Sequence, residues 1–191
     1  MHYKADLKMY TSVKPVHLID QLQANCWLSK DGYYTKIGPV EVVKNSRYQL
    51  TIDHDDKLVV LAGAQDTKDK LKDLLTGMGA LLEGMKGGGV RVQKIMRGND
   101  TWLELSQLSD PEMQQCNIQY DPVTFSIKRL WLKVLDVSQS ETDPVIVDIV
   151  YNYDRQLPVA DQFSEAKYVR VSGKQIVLQS PYQQYTLINQ L

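Results

Sequence analysis

The sequence predicts a mainly β chain of the α+β class. It holds about eleven short antiparallel strands, too many to lie flat and therefore curled into a barrel, with one amphipathic helix. Three observations predict it. Apolar and polar residues alternate in short stretches divided by Gly, Pro, Asn and Asp turns. No strand–helix–strand alternation of the parallel α/β kind is present. One segment, from Asp66 to Lys86, abandons the period of two for the period of a helix.

The first alternation is the cleanest, with Tyr3, Ala5, Leu7 and Met9 on one face and His2, Lys4, Asp6 and Lys8 on the other. The stretch from Lys14 to Asp20 is expected as one helical turn or a loop. A second strand runs from about Leu22 to Leu28, and Lys30-Asp31-Gly32 turns it into Tyr33–Ile37. Gly38-Pro39 leads into Val40–Val43, and Asn45-Ser46 into a strand with Tyr48, Leu50 and Ile52 on one face. His54-Asp55-Asp56-Lys57 closes that strand against Leu58–Leu61.

The helix follows. Leu71, Leu74, Leu75, Met78, Leu81, Leu82 and Met85 form one apolar stripe, the pattern of an ordinary core helix. Gly77, Gly79 and Gly84 weaken it by about 1 kcal/mol each relative to alanine. Lys86-Gly87-Gly88-Gly89 then supplies a hinge. Those two features turn the expectation from a rigid core element to a movable lid.

Strands resume at Val90–Met96, turn at Gly98-Asn99-Asp100 and return through Trp102–Leu108. Met113–Tyr120 turns at Asp121-Pro122 into Thr124–Leu135. Asp143-Pro144 opens a strand whose Val145, Val147, Ile149, Tyr151 and Tyr153 make an apolar face. Leu157–Phe163 is irregular. Tyr168–Val171 pairs with Ile176–Leu178 across Ser172-Gly173-Lys174, and Tyr182–Ile188 is a last strand or a packed tail.

Composition excludes several functions. The 191 residues suit a single domain over 1–191, and a formal net charge of −1 gives no footprint for nucleic acid. No stretch reaches the length of a transmembrane helix. The three histidines, His2, His17 and His54, lie far apart with no nucleophile motif nearby, so no catalytic residue is assigned. His54 is expected at a solvated hairpin end. Cys26 and Cys116 have no CxxC or Cys/His spacing, so no metal site or cofactor is assigned. The glycine run lacks the lysine and the following helix of a phosphate-binding loop. Trp27, Trp102 and Trp131 are expected in the core.

Four stretches carry a family resemblance: Asn45–Leu61; the helix that follows; Gly98–Leu105 together with Ile118–Leu130; and Val147–Tyr153. Their order resembles the LolA-like lipoprotein carriers of bacterial envelopes. The resemblance implies an open half-barrel of about eleven antiparallel strands covered by one helix. It also implies a non-enzymatic periplasmic carrier that holds the acyl chains of a lipid or lipoprotein. The sequence enters a strand at once, so the expectation is either a cytosolic protein or one from which a signal or lipid-anchor segment has been removed upstream, and the flush start favours removal. Family members begin with a helix and gate the barrel with an arginine. Here Arg47, Arg91, Arg97 and Arg129 all fall in the sheet region, and none matches that motif.

The candidate lipid lining combines Leu71, Leu74, Leu75, Met78, Leu82 and Met85 of the lid with Leu7, Met9, Leu50, Ile52, Val147, Ile149 and Tyr151 of the sheet. Each buried CH₂ of an acyl chain contributes about 0.8 kcal/mol, so such a lining needs no polar contact. The competing expectation is a dry, filled core, which suits an envelope sensor or a module that binds a protein partner.

Overall fold

The computed structural model describes residues 1–64, 90–108, 112–135, 143–154, 156–159, 161–173 and 175–191. The expected helix from Asp66 to Lys86, and with it every lid residue of the candidate lining, lies outside the described residues. What is described is mainly strand. In chain order the strands are β1 (His2–Thr11), β2 (Leu18–Leu28), β3 (Tyr33–Ile37), β4 (Val40–Lys44), β5 (Tyr48–Asp53), β6 (Leu58–Gly63) and β7 (Arg91–Arg97). They continue as β8 (Asp100–Ser106), β9 (Met113–Tyr120), β10 (Ile127–Leu135), β11 (Pro144–Asp154), β12 (Val169–Ser172), β13 (Gln175–Leu178) and β14 (Thr186–Gln190). Two 3₁₀ turns, Glu165–Lys167 and Tyr182–Gln184, complete the described elements.

Among the described residues twelve strands hydrogen-bond in the order β14-β6-β5-β4-β3-β2-β1-β11-β10-β9-β8-β7, and β12 and β13 form a separate ribbon. The chain divides into two compact units. The first takes in Met1–Lys4, Gln23–Asp69 and Tyr153–Leu191, and the second Ala5–Leu22 and Lys70–Asn152.

The first unit is built on the β3–β6 meander. Val43 faces Leu50, Leu50 faces Leu61 and Ile52 faces Val59, so five apolar residues share one face at 1 % exposure or less. The chain after Tyr153 folds over that face, placing Tyr168 and Val169 against it with Ile176, Leu178 and Tyr182 around them. The turns follow the expected chemistry. Asn45 Oδ1 accepts from the backbone N–H of Arg47 and Tyr48, and Asp53 Oδ1 accepts from those of Asp55 and Asp56. Gly32 is required by close approach, since a Cβ there would lie 2.2 Å from the Lys44 carbonyl oxygen.

The second unit is built on the β7–β11 meander, with most of β1 and the start of β2. The four pairings within the meander are antiparallel, and the β9–β10 pairing shifts register at two places.

Four expectations are corrected. The strands number fourteen among the described residues, not about eleven. One gain comes from the C-terminal segment: Thr186–Gln190 adds to β6 in parallel, so the sheet is not purely antiparallel. That pairing runs through backbone groups and leaves little side-chain pattern to detect. The stretch from Lys14 to Asp20 takes the loop form of its two expected alternatives as far as His17, and β2 then starts at Leu18, four residues before its expected start. His2, placed on the polar face, is 3 % exposed and stacks on Trp27 at 3.9 Å, with its Nε2 2.7 Å from Asn25 Oδ1.

Candidate functional site

Strand register in the second unit brings the expected late-strand residues together. Ile149 lies opposite Leu130, Val147 opposite Leu132 and Val145 opposite Val134. The row continues across β9 and β8: Leu130 faces Ile118, Leu132 faces Cys116, Leu103 faces Ile118 and Leu105 faces Cys116. Directly paired residues share a face, so these side chains form one apolar surface across four strands. Tyr3 and Tyr153 are in ring contact at 5.8 Å, which sets the β1 and β11 alternations to one face. Period two then carries Leu7 and Met9 of β1 to the face of Ile149 and Tyr151.

Burial across this face is uneven. Leu105, Cys116, Ile118, Leu130, Val145 and Tyr151 are buried, whereas Leu7, Met9, Leu103, Leu132, Val134, Val147 and Ile149 keep part of their surface open. Burial holds the Cys116 thiol protonated, with its pKa pushed up to about 12, so this cysteine behaves as a small apolar group.

The opposite face of the same ladder carries an ion pair among Trp131, Ile146 and Val150. Arg129 donates from Nε to Asp148 Oδ1 at 2.6 Å and from Nη2 to Asp148 Oδ2 at 2.5 Å. The hydrogen bonds to Asp148 raise the pKa of Arg129 against the lowering effect of burial, helped by the charge of Asp148 and by Tyr10. Arg129 therefore braces the back of the ladder and does not line the apolar face. Trp102 is in the core at 8 % exposure, while Trp27 and Trp131 are only half-buried.

Leu50 and Ile52 are placed elsewhere. Both are 0 % exposed in the first unit, under Tyr168 and Val169, so the chain's own C-terminal segment occupies the space next to them. The structure thus separates the described candidate residues into two groups. Leu7, Met9, Val147, Ile149 and Tyr151 belong to the partly open face, and Leu50 and Ile52 to a filled core.

A polar network that sequence reasoning missed pins this C-terminal segment. Glu41, 8 % exposed, accepts a hydrogen bond from the Tyr168 hydroxyl at 3.0 Å and another from Lys36 Nζ at 3.0 Å. His54 Nε2 lies 3.1 Å from Glu41 Oε1, and His54 Nδ1 is 3.0 Å from the Tyr185 hydroxyl. Burial pulls the Glu41 pKa upward. The bonds from Lys36, Tyr168 and His54 and the Lys36 charge outweigh it, so the net shift is downward and the carboxylate stays ionised. Burial first, then the Glu41 charge, raises the pKa of Tyr168, and that of Tyr34 to about 12. His54 is therefore a member of a packed network and not a solvated hairpin end. A second anchor joins Asn45 and Arg47 to Glu165: Asn45 Nδ2 donates to Glu165 Oε2 at 2.6 Å, and Arg47 pairs with its other oxygen.

These groups hold the parts of the first unit together. Among the described residues no cluster of three His, Cys, Asp or Glu is arranged to hold a metal ion. No described helix is long and apolar enough to cross a membrane. A cleft of about 280 Å³ in the first unit is lined by Arg47, Glu165, Arg170 and Gln179 together with Tyr48, Ala166, Val169 and Val171, a mixed polar and apolar wall.

No protein-family model matches the chain, and no curated protein matches it. Solved structures similar to it include an uncharacterised conserved protein from Thermus thermophilus, with 8 % identity, a TM-score of 0.48, and coverage of 100 % of this chain and 91 % of that one. A DUF1329 family protein from Desulfovibrio piger has 10 % identity and a TM-score of 0.35, over 86 % of this chain and 90 % of that one. A domain described as an outer membrane lipoprotein-sorting protein, from Vibrio parahaemolyticus, has 9 % identity and a TM-score of 0.31, over 84 % and 88 %.

Proposed function

We propose that the chain is a non-enzymatic binding protein that holds the acyl chains of a lipid or lipoprotein against the apolar face of its second unit, in a bacterial envelope. One observation carries the reading. Val147, Ile149, Leu132 and Leu103 line up across β8, β10 and β11 with Ile118 of β9 between them, share one face, and stay partly open. An apolar surface left accessible in a folded unit is a binding surface more often than an accident. In this reading Leu7 and Met9 extend the lining. The LolA-like order of sequence elements is what suggests acyl cargo and a periplasmic setting.

A mass-spectrometric analysis of an organic extract of the purified chain, with titration of a fluorescent fatty acid, tests it. The expected result is co-purified lipid and a probe site that Val147→Asp and Ile149→Asp weaken at least tenfold. The absence of both lipid and probe binding would overturn the proposal.

A second reading, a sensor or a module that binds an envelope protein, is favoured by the first unit, where Leu50 and Ile52 are already covered by Tyr168 and Val169. It predicts no lipid in the extract and a soluble partner that protects the open face of the second unit.

A further inference from the structure

The most exposed large apolar residues of the second unit are gathered at one end of its meander. Val123 is 84 % exposed and Phe125 76 % exposed, both on the β9–β10 turn, and Met96 is 61 % exposed beside the β7–β8 turn. Register places the two turns at the same end. Met96 pairs with Thr101, Thr101 with Tyr120, and Tyr120 with Ile127. The ring of Phe125 stacks on Tyr120 at 6.4 Å with 12° between planes.

The β9–β10 tip is held in shape by its own hydrogen bonds. Asp121 Oδ1 accepts from the backbone N–H of Val123 and of Thr124, and the Phe125 N–H donates to the Asp121 carbonyl at 2.7 Å. Phe125 sits at φ 57, the left-handed region that a bulky side chain seldom adopts. The turn therefore presents two apolar side chains outward on a preset backbone.

We propose that this end of the second unit docks on a phospholipid bilayer, with Val123 and Phe125 inserted at the boundary between headgroups and acyl chains and Met96 beside them. Area argues for a bilayer over a protein partner. The three side chains offer on the order of 400 Å², about half of the roughly 800 Å² that each partner gives to a standard protein interface. A bilayer accepts protruding apolar side chains without a complementary surface. Charge argues for a bilayer of no particular sign. Lys128 Nζ is 3.3 Å from Asp121 Oδ2 and Arg97 is paired with Glu104, so these charges are already neutralised. Lys94 and Asp100, the other exposed charges toward this end of the β7–β8 hairpin, are of opposite sign, and the exposed Arg91 lies at its far end, opposite Ser106. The docking does not depend on whether the apolar face carries cargo.

Co-sedimentation with neutral phosphatidylcholine vesicles tests the proposal. The full chain should bind with little sensitivity to salt, Phe125→Ser should weaken binding about tenfold, and Val123→Ser/Phe125→Ser should abolish it. Phe125→Leu should bind nearly as the parent does. Circular dichroism checks that each variant folds. As an independent readout, Val123→Cys labelled with an environment-sensitive dye should brighten on vesicles, and the buried Cys26 and Cys116 leave that label selective. No binding by the parent chain, undiminished binding by the double variant, or an unchanged dye signal would each overturn the proposal. So would binding confined to anionic vesicles and removed by salt, or a concentration-dependent dimer that Phe125→Ser dissolves. Lipid in the extract with no vesicle binding would sink this proposal alone, and the reverse pattern would sink only the cargo reading.

Discussion

Tyr168→Phe tests whether the C-terminal segment truly occupies the sheet face of the first unit. The substitution keeps the ring, which packs on Tyr182 at 5.1 Å, and removes only the hydroxyl that donates to Glu41 Oε2 at 3.0 Å. A hydrogen bond to an ionised group contributes about 1.5–3 kcal/mol. The Glu41 side chain is 10 % exposed, so water does not readily replace the lost donor. The expected loss at pH 7 is about 2 kcal/mol, which lowers the urea midpoint by about 1 M for a chain of this size. The sign of the pH dependence follows from the Glu41 pKa, which folding lowers from its ordinary 4.5. Its carboxylate contributes stability above pH 4.5 that is lost as pH falls through the lower folded value. The difference between parent and variant should therefore shrink as the pH is taken below 4.5. An unchanged midpoint at pH 7 would refute the anchoring role. An equal loss at pH 7 and at about pH 3.5 would show that packing, not the charge-assisted bond, sets the effect.

Three further outcomes are expected. Arg129→Lys should lower stability by about 1–2 kcal/mol, because a lysine ammonium cannot reproduce the two parallel bonds to Asp148; a change within about 0.5 kcal/mol in chemical denaturation would speak against that brace. Gly32→Ala should cost about 1–3 kcal/mol through the 2.2 Å clash of the new Cβ with the Lys44 carbonyl, and an unchanged melting temperature would refute the close approach. Cys116, buried and with its thiol pKa pushed up to about 12, should stay unmodified by a disulfide reagent at pH 8 in the folded chain and react at once in urea, as peptide mapping would show; rapid modification of the folded chain would contradict its placement.

Local chemistry alone makes much of the second unit's ladder readable. Alternation from Val145 to Tyr153, the Gly98-Asn99-Asp100 turn and the Asp121-Pro122 turn each act within a few residues, so the strands and their apolar face follow from the string of letters. The same holds for the Asn45 and Asp53 turns, where a side chain caps backbone groups two or three positions ahead. Those rules place Val147 and Ile149 on one face, with Leu7 and Met9 on one face of their own strand. Tertiary structure alone decided what lies opposite each face. Leu50 and Ile52 carry the same alternation as Val147 and Ile149, yet they are sealed because Tyr168 and Val169 return from more than a hundred residues away. The network that seals them joins Glu41 to Tyr168 over 127 positions and His54 to Tyr185 over 131. Periodicity reports which residues seek burial. It carries no information about whether a distant segment or a ligand will supply it, because the hydrophobic effect rewards either cover equally.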